Sequence, residues 1–175
     1  ALPTKAGQWL KVSPSEGKGL SWVSRDPGGS AWFETRFSGE DFQGKSPQTP
    51  LSSDIRARLL KMLRVALEQN PGFGEQLKGV HVETKLEFPR EWGLGSSSTL
   101  ISNLAQWAGV DPYLLLGETL GGSGYDIAAA RSPGPIFYTL HPEKGPEATP
   151  APFHPPFAED LFFVYLNQKQ DSREG

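Results

Sequence analysis

The chain has 175 residues, 37% of them apolar, with a net charge of -3 and no cysteine. This is enough for one domain with a real hydrophobic core, and it excludes disulfides, thiolate catalysis and cysteine metal sites. With no basic stripe, nucleic acid is not an expected partner, and the apolar runs are too short to span a bilayer.

The missing cysteine fits a reducing compartment, so a cytoplasmic location is expected. The opening Ala1-Leu2-Pro3-Thr4-Lys5 carries no signal peptide and no initiator methionine, and reads as the inside of a longer reading frame. Residues 8–12, 20–24 and 31–37 are β-prone runs separated by Gly/Pro/Ser breaks, which predicts a strand meander. In the third run Ala31, Phe33, Thr35 and Phe37 share one face, while Glu34 and Arg36 point the other way. Residues 26–30, 38–50 and 141–156 are loop-like blocks, and the last reads as an excursion or flap. A helix is predicted over 54–69, with Ile55, Leu59, Met62, Leu63, Ala66 and Leu67 as its apolar stripe. Ser53 or Asp54 would cap it, and Asn70-Pro71-Gly72 would end it.

Residues 80–88 alternate: Val80, Val82, Thr84, Leu86 and Phe88 face one way, and His81, Glu83, Lys85 and Glu87 the other. That is the pattern of a half-buried strand. A small, hydroxylated loop follows: Gly93, Leu94, Gly95, Ser96, Ser97, Ser98 and Thr99. Leu100, Ile101, Leu104, Trp107 and Ala108 then fall on one helical face, with Gly109 as the stop. A second helix opens at Asp111-Pro112, an N-cap followed by a proline in the first helical position. Residues 135–140 and 161–166 read as two further strands, the second apolar throughout and therefore central. Together these elements predict an α+β domain with helices on one sheet face.

Two places carry chemistry. A glycine–serine loop between strand and helix presents first-turn N–H groups without internal partners, a geometry that binds phosphate. Serine hydroxyls there can also reach a magnesium ion. The blander reading is a capped helix start behind a flexible turn. The second place, Gly121-Gly122-Ser123-Gly124-Tyr125-Asp126, delivers a carboxylate into an apolar segment; alternatively Asp126 caps a helix starting near Ile127. Taken together, a phosphate loop and a glycine-poised carboxylate supply the two parts that phosphoryl transfer to a hydroxyl requires. The histidines, His81, His141 and His154, have no metal-ligand spacing. Trp9, Trp22, Trp32, Trp92 and Trp107 read as core or sheet-face aromatics rather than a base-stacking platform, with Trp92 singled out because it stands beside the loop. Lys5 and Arg131 read as surface charges.

Gly-Leu-Gly-Ser-Ser at 93–97, followed by Ser123-Gly124-Tyr125-Asp126, resembles the GHMP small-molecule kinases and is most similar to mevalonate-kinase-like members. Gly124-Tyr125-Asp126-Ile127-Ala128 matches the signature of their GYDIA subgroup, and the resemblance runs from Ala1 to Tyr165. It implies a ribosomal-S5-domain-2-like N-terminal half, α+β, with helices on one face of a mixed sheet. It also implies ATP over the loop from Gly93 to Thr99, Mg2+ held by Ser97 and Glu118, and Asp126 as the catalytic residue. The implied acceptor is a small metabolite resembling mevalonate or phosphomevalonate. Glu118 lies eight positions before Asp126, closer than in mevalonate kinases. The family's first motif and its ferredoxin-like C-terminal half are not found. Residues 1–166 are thus expected to be an N-terminal ATP-binding domain without its first strand, and 167–175 the start of a connection onward. The chain is expected to be a fragment. The alternatives are a non-catalytic nucleotide- or metabolite-binding module and a purely structural domain. Oligomeric state is left open.

Overall fold

The computed structural model describes residues 1–43 and 54–166. Strands β1 (Gln8–Pro14), β2 (Leu20–Arg25), β3 (Ala31–Phe37) and β4 (Val80–Leu86) form one mixed sheet in the order β1-β4-β2-β3. β4 runs antiparallel to β1 and parallel to β2, while β2 and β3 make an antiparallel pair. The first three strands are therefore not the meander predicted from sequence: β4, arriving from 80 residues along the chain, separates β1 from β2. Its alternating pattern makes it a suitable centre, with Val82, Thr84 and Leu86 buried.

The register places Leu10, Val12, Leu20, Trp22, Ser24, Val82, Thr84, Phe33 and Phe37 on one face. Helices α1 (Ile55–Gln69), α3 (Ser96–Ala108) and α4 (Pro112–Thr119) contribute Leu59, Leu63, Ala66, Ile101, Leu104 and Leu115 to the same core. Burying such apolar surface stabilises the fold by roughly 25 cal/mol per Å². The opposite sheet face carries Lys11, Ser21, Arg25, Glu34, Arg36, His81 and Glu83, with Arg25 paired to Glu83 at 3.3 Å. Within the core, Trp22 Nε1 donates to Ser24 Oγ at 3.0 Å, and Thr84 Oγ1 donates to the same oxygen at 2.9 Å. Trp22, Ser24 and Thr84 thereby find partners for one another inside the core.

Asp54 caps α1, its carboxylate accepting from the N–H groups of Arg56 and Ala57; the other cap candidate, Ser53, lies outside the described residues. Asp111 caps α4 in the same way, accepting from Tyr113 at 2.7 Å and Leu114 at 3.0 Å. Gly109, at φ 66°, ends α3. A short helix, α2 (Phe73–Gln76), seats the buried Phe73 edge-on against Trp107.

After α5 (Tyr125–Ala130) comes an antiparallel ribbon of β5 (Ile136–His141) and β6 (Gly145–Pro150). β6 falls inside the block 141–156 that reads as a loop in the sequence. Residues 161–166, expected to be a central strand, form no strand, and all six are exposed. An apolar run lacks the periodicity that fixes a strand, and among the described residues no sheet edge pairs with this one. Instead Tyr165 stacks on Trp92, with ring centroids 4.8 Å apart. The loop-like stretch 44–50 and the expected connection 167–175 lie outside the described residues. The architecture is a mixed α+β domain, and among the described residues no helix is long and apolar enough to cross a membrane.

Candidate functional site

β4 delivers the chain to a short 3-10 turn at Arg90–Trp92, and two glycines then set the direction of α3. Gly93 has φ 73° and Gly95 φ 72°. Both lie in the left-handed region, which residues with a Cβ enter at a cost of roughly 1–2 kcal/mol. The helix begins at Ser96, one residue after Gly95, so the hydroxylated residues form its first turn rather than a loop before it. Gly95 occupies the cap position and no side chain caps the helix. The cap is thus a glycine rather than a serine or threonine, and no side chain takes up the first-turn N–H groups of Ser96, Ser97 and Ser98.

The four hydroxyl side chains of this turn diverge. Thr99 is a structural tie: its Oγ1 donates to Gln8 Oε1 of β1 at 2.8 Å. One turn on, Asn103 Nδ2 donates to the Gln8 carbonyl at 2.8 Å and fixes the same end of the helix to the sheet. Ser98 lies beside the Asp126 carboxylate, whose pKa its hydroxyl lowers. Ser97 is exposed, and Ser96 is half-buried beside it.

Asp126 comes from the second glycine cluster. Gly124, at φ 82°, is the cap of α5, and Asp126 is the second residue of that helix. It is not the cap that the sequence allowed as an alternative. Gly124 is required twice over, because a Cβ there would lie 2.8 Å from the Tyr113 ring and 3.3 Å from the Tyr138 hydroxyl. Tyr138 in turn donates to the Ser123 carbonyl, holding the turn to β5. The result brings Asp126 against the start of α3, where a Cβ on Gly95 would lie 3.5 Å from the carboxylate. The two motifs are 31 positions apart in sequence and adjacent in space.

Burial raises the pKa of Asp126 above its usual value of 3.8, partly offset by hydrogen bonds from Tyr125 and Ser98. The Tyr125 phenol is pushed up in turn, chiefly by the Asp126 charge and then by burial. A carboxylate raised toward neutrality is a better proton acceptor than a free one.

Two cavities meet at the start of α3. One, of about 280 Å³, is lined by Gly93, Leu94, Gly95 and Thr99 on one side and by Asp126 on the other. The second, about 110 Å³, lies across the helix start and is lined by Ser96, Ser97, Trp32, Arg58 and Arg90. There the Arg90 guanidinium sits 3.9 Å above the centre of the Trp32 ring, a cation–π contact. Trp32 Nε1 is buried without a hydrogen-bond partner. Sequence reading missed this cavity: Trp32 comes from the irregular end of the β2–β3 pairing and Arg90 from a turn. Asn103 was missed too, although its spacing of four from Thr99 places both on one helix face.

Glu118 is exposed on α4 and lines neither cavity, so the structure does not bring it to Ser97 and Asp126. The helix start fits a phosphate, since three open N–H groups converge there. For a divalent cation, the Ser97 hydroxyl lines the second cavity and the Asp126 carboxylate the first, so the structure does not place these two oxygen donors at one point. Magnesium accepts one or two protein oxygens together with phosphate and water. Lys5 and Arg131 are exposed. No protein-family model matches the chain, and no curated protein matches it.

Proposed function

We propose that the chain is the nucleotide-binding domain of a GHMP-type kinase, built on the ribosomal-S5-domain-2-like fold. It would work in the cytoplasm and transfer a phosphoryl group from Mg-ATP to a hydroxyl of a small metabolite. One observation carries this reading: the uncapped start of α3 stands between a cavity holding a raised carboxylate and a second cavity with an aromatic face and two arginines. A nucleoside triphosphate laid over the helix start would have its base side in the Trp32 cavity and its last phosphate toward Asp126.

Mg-ATP supplies the transferable group and the cation that neutralises its charge. The chain supplies position. The N–H groups of Ser96, Ser97 and Ser98, at the positive end of a 13-residue helix, hold phosphate oxygens. Ser97, which is exposed, would turn its hydroxyl to the cation. Asp126, steadied by Tyr125 and Ser98, orients the acceptor hydroxyl and takes its proton. Catalysis of this kind rests on placement and charge stabilisation rather than on covalent chemistry.

Calorimetric titration with Mg-ATP tests the assignment. Ser97→Ala is expected to weaken binding by about tenfold, the loss of one charge-assisted contact worth about 1.4 kcal/mol. Ser102→Ala, one turn and a half further along α3, should leave it unchanged. Equal affinity of wild type and Ser97→Ala would remove the loop from the nucleotide site.

A further inference from the structure

The cavity beside Asp126 has a lining that selects by charge. Its polar side chains are Thr4, Gln8, Thr99, Ser102, Asn103 and Ser132, all neutral, and Asp126 is the one ionisable side chain among the described residues that line it. The cations nearest in sequence, Lys5 and Arg131, are exposed and do not line it. The Ala1 nitrogen donates to the Ile136 carbonyl at 2.6 Å.

The neutral groups retain hydrogen-bonding capacity. Asn103 uses Nδ2 on the Gln8 carbonyl, which leaves its Oδ1 as an acceptor. Gln8 uses Oε1 to receive Thr99, which leaves its Nε2 as a donor. An open donor and an open acceptor of neutral type, with the Ser102 hydroxyl beside them, match the donor–acceptor pairs of alcohol groups.

From this inventory we infer that the acceptor is an uncharged or amine-bearing alcohol, and that a carboxylate- or phosphate-bearing alcohol is disfavoured. This rests on the kinase reading for the word acceptor; the charge preference follows from the cavity itself. A second anion beside the partly buried Asp126 would meet like-charge repulsion, with no cation among the described residues of the lining to offset it. At about 5 Å and an effective dielectric near 20 that repulsion is large enough to cost a hundredfold in affinity. An ammonium in the same place gains by the same amount. The resemblance to mevalonate kinases implies an anionic acceptor, so here the cavity and the resemblance point to different compounds.

The test uses three molecules on one skeleton: mevalonate, the neutral triol formed by reducing its carboxylate, and the amino diol with an amine in place of that carboxylate. Each is titrated into the isotope-labelled chain at constant ionic strength, and the amide signals of Ser102, Asn103 and Ala129 are followed. The triol and the amino diol should move these signals saturably, with mevalonate at least about tenfold weaker. Ala129→Lys, three residues from Asp126 on α5, should reverse the order in favour of mevalonate while the spectrum stays that of the folded domain. Mevalonate binding as tightly as the triol would overturn the proposal, as would three compounds that all leave the cavity amides unmoved. A parallel titration with Mg-ATP reads the amides of Ser96, Ser97 and Ser98. Failure there, with the charge order intact in the cavity, would sink the kinase reading and leave the binding preference standing.

Discussion

Asp126→Asn is expected to remove phosphoryl transfer while leaving Mg-ATP affinity within about twofold. A general base in such a position contributes roughly 10²–10⁴-fold, and the amide keeps the shape of the carboxylate but accepts no proton. ADP release measured against a panel of small alcohols checks this, and comparable turnover in the variant would end the assigned role. The same substitution has a second signature in stability. Burial raises the Asp126 pKa above its value of 3.8, so the native state holds this proton more tightly than the unfolded chain does. The stability associated with that proton is fully present below pH 3.8 and is lost as pH rises through the raised value. Above the raised pKa the ionised carboxylate is therefore a liability to the fold. Asp126→Asn should raise the melting temperature at pH 7, and the advantage should shrink as pH falls toward the ordinary carboxylate range. A residue that lowers stability and whose removal abolishes turnover is held for function. A variant less stable than wild type at pH 7 would instead give Asp126 a structural role.

Gly124→Ala is expected to have the largest effect on the fold near the site. The residue sits at φ 82°, and a methyl group would meet Tyr113 Cδ1 at 2.8 Å and Cε1 at 3.0 Å. The left-handed backbone costs roughly 1–2 kcal/mol for a residue with a Cβ, and forcing a group against a ring adds about 1–3 kcal/mol. Urea unfolding should show a loss of about 2–5 kcal/mol, the combined range of the two causes. Gly124→Ala combined with Tyr113→Ala separates them. Removing the ring relieves the clash but not the backbone strain, so the two changes together should cost less than the sum of the singles. A Gly124→Ala variant within about 0.5 kcal/mol of wild type would show that the turn is loosely held. In that case the placement of Asp126 would have to come from elsewhere.

The parts of the structure legible in the sequence are those where a local pattern and burial agree. β3 was readable to the residue because turn residues precede it and alternation runs through it. α1, α3 and α4 were readable because each has a cap or stop and an apolar face. The position of β4 between β1 and β2 was not, since strand order is set by pairing across the chain and leaves no local mark. β6 was hidden for a different reason. It is the outer strand of a two-stranded ribbon, with five of its six residues exposed, so nothing buried imposes alternation on Gly145, Pro146 and Pro150. Residues 161–166 show the reverse error, in which apolar composition was read as burial.

At the site, the glycines announced both turns, and the structure joins them through contacts at Gly95 and Gly124. What sequence could not supply is how the serines divide. Ser96 and Ser97 face one cavity, Ser98 lies beside Asp126, and Thr99 is tied to the sheet, because a helical turn distributes successive residues about 100° apart around its axis. The second cavity had no sequence mark either, since Trp32 and Arg90 meet only through the β2–β3 and β4 pairings.

The most direct measurement is an amide map of the isotope-labelled chain titrated with Mg-ATP. The expected result is saturable movement of Ser96, Ser97 and Ser98 together with the indole N–H of Trp32, placing the ligand across the start of α3 from one cavity to the other. Movement confined to the open sheet face around Arg36 and His81, or no movement at saturating nucleotide, would contradict a nucleotide site on this helix.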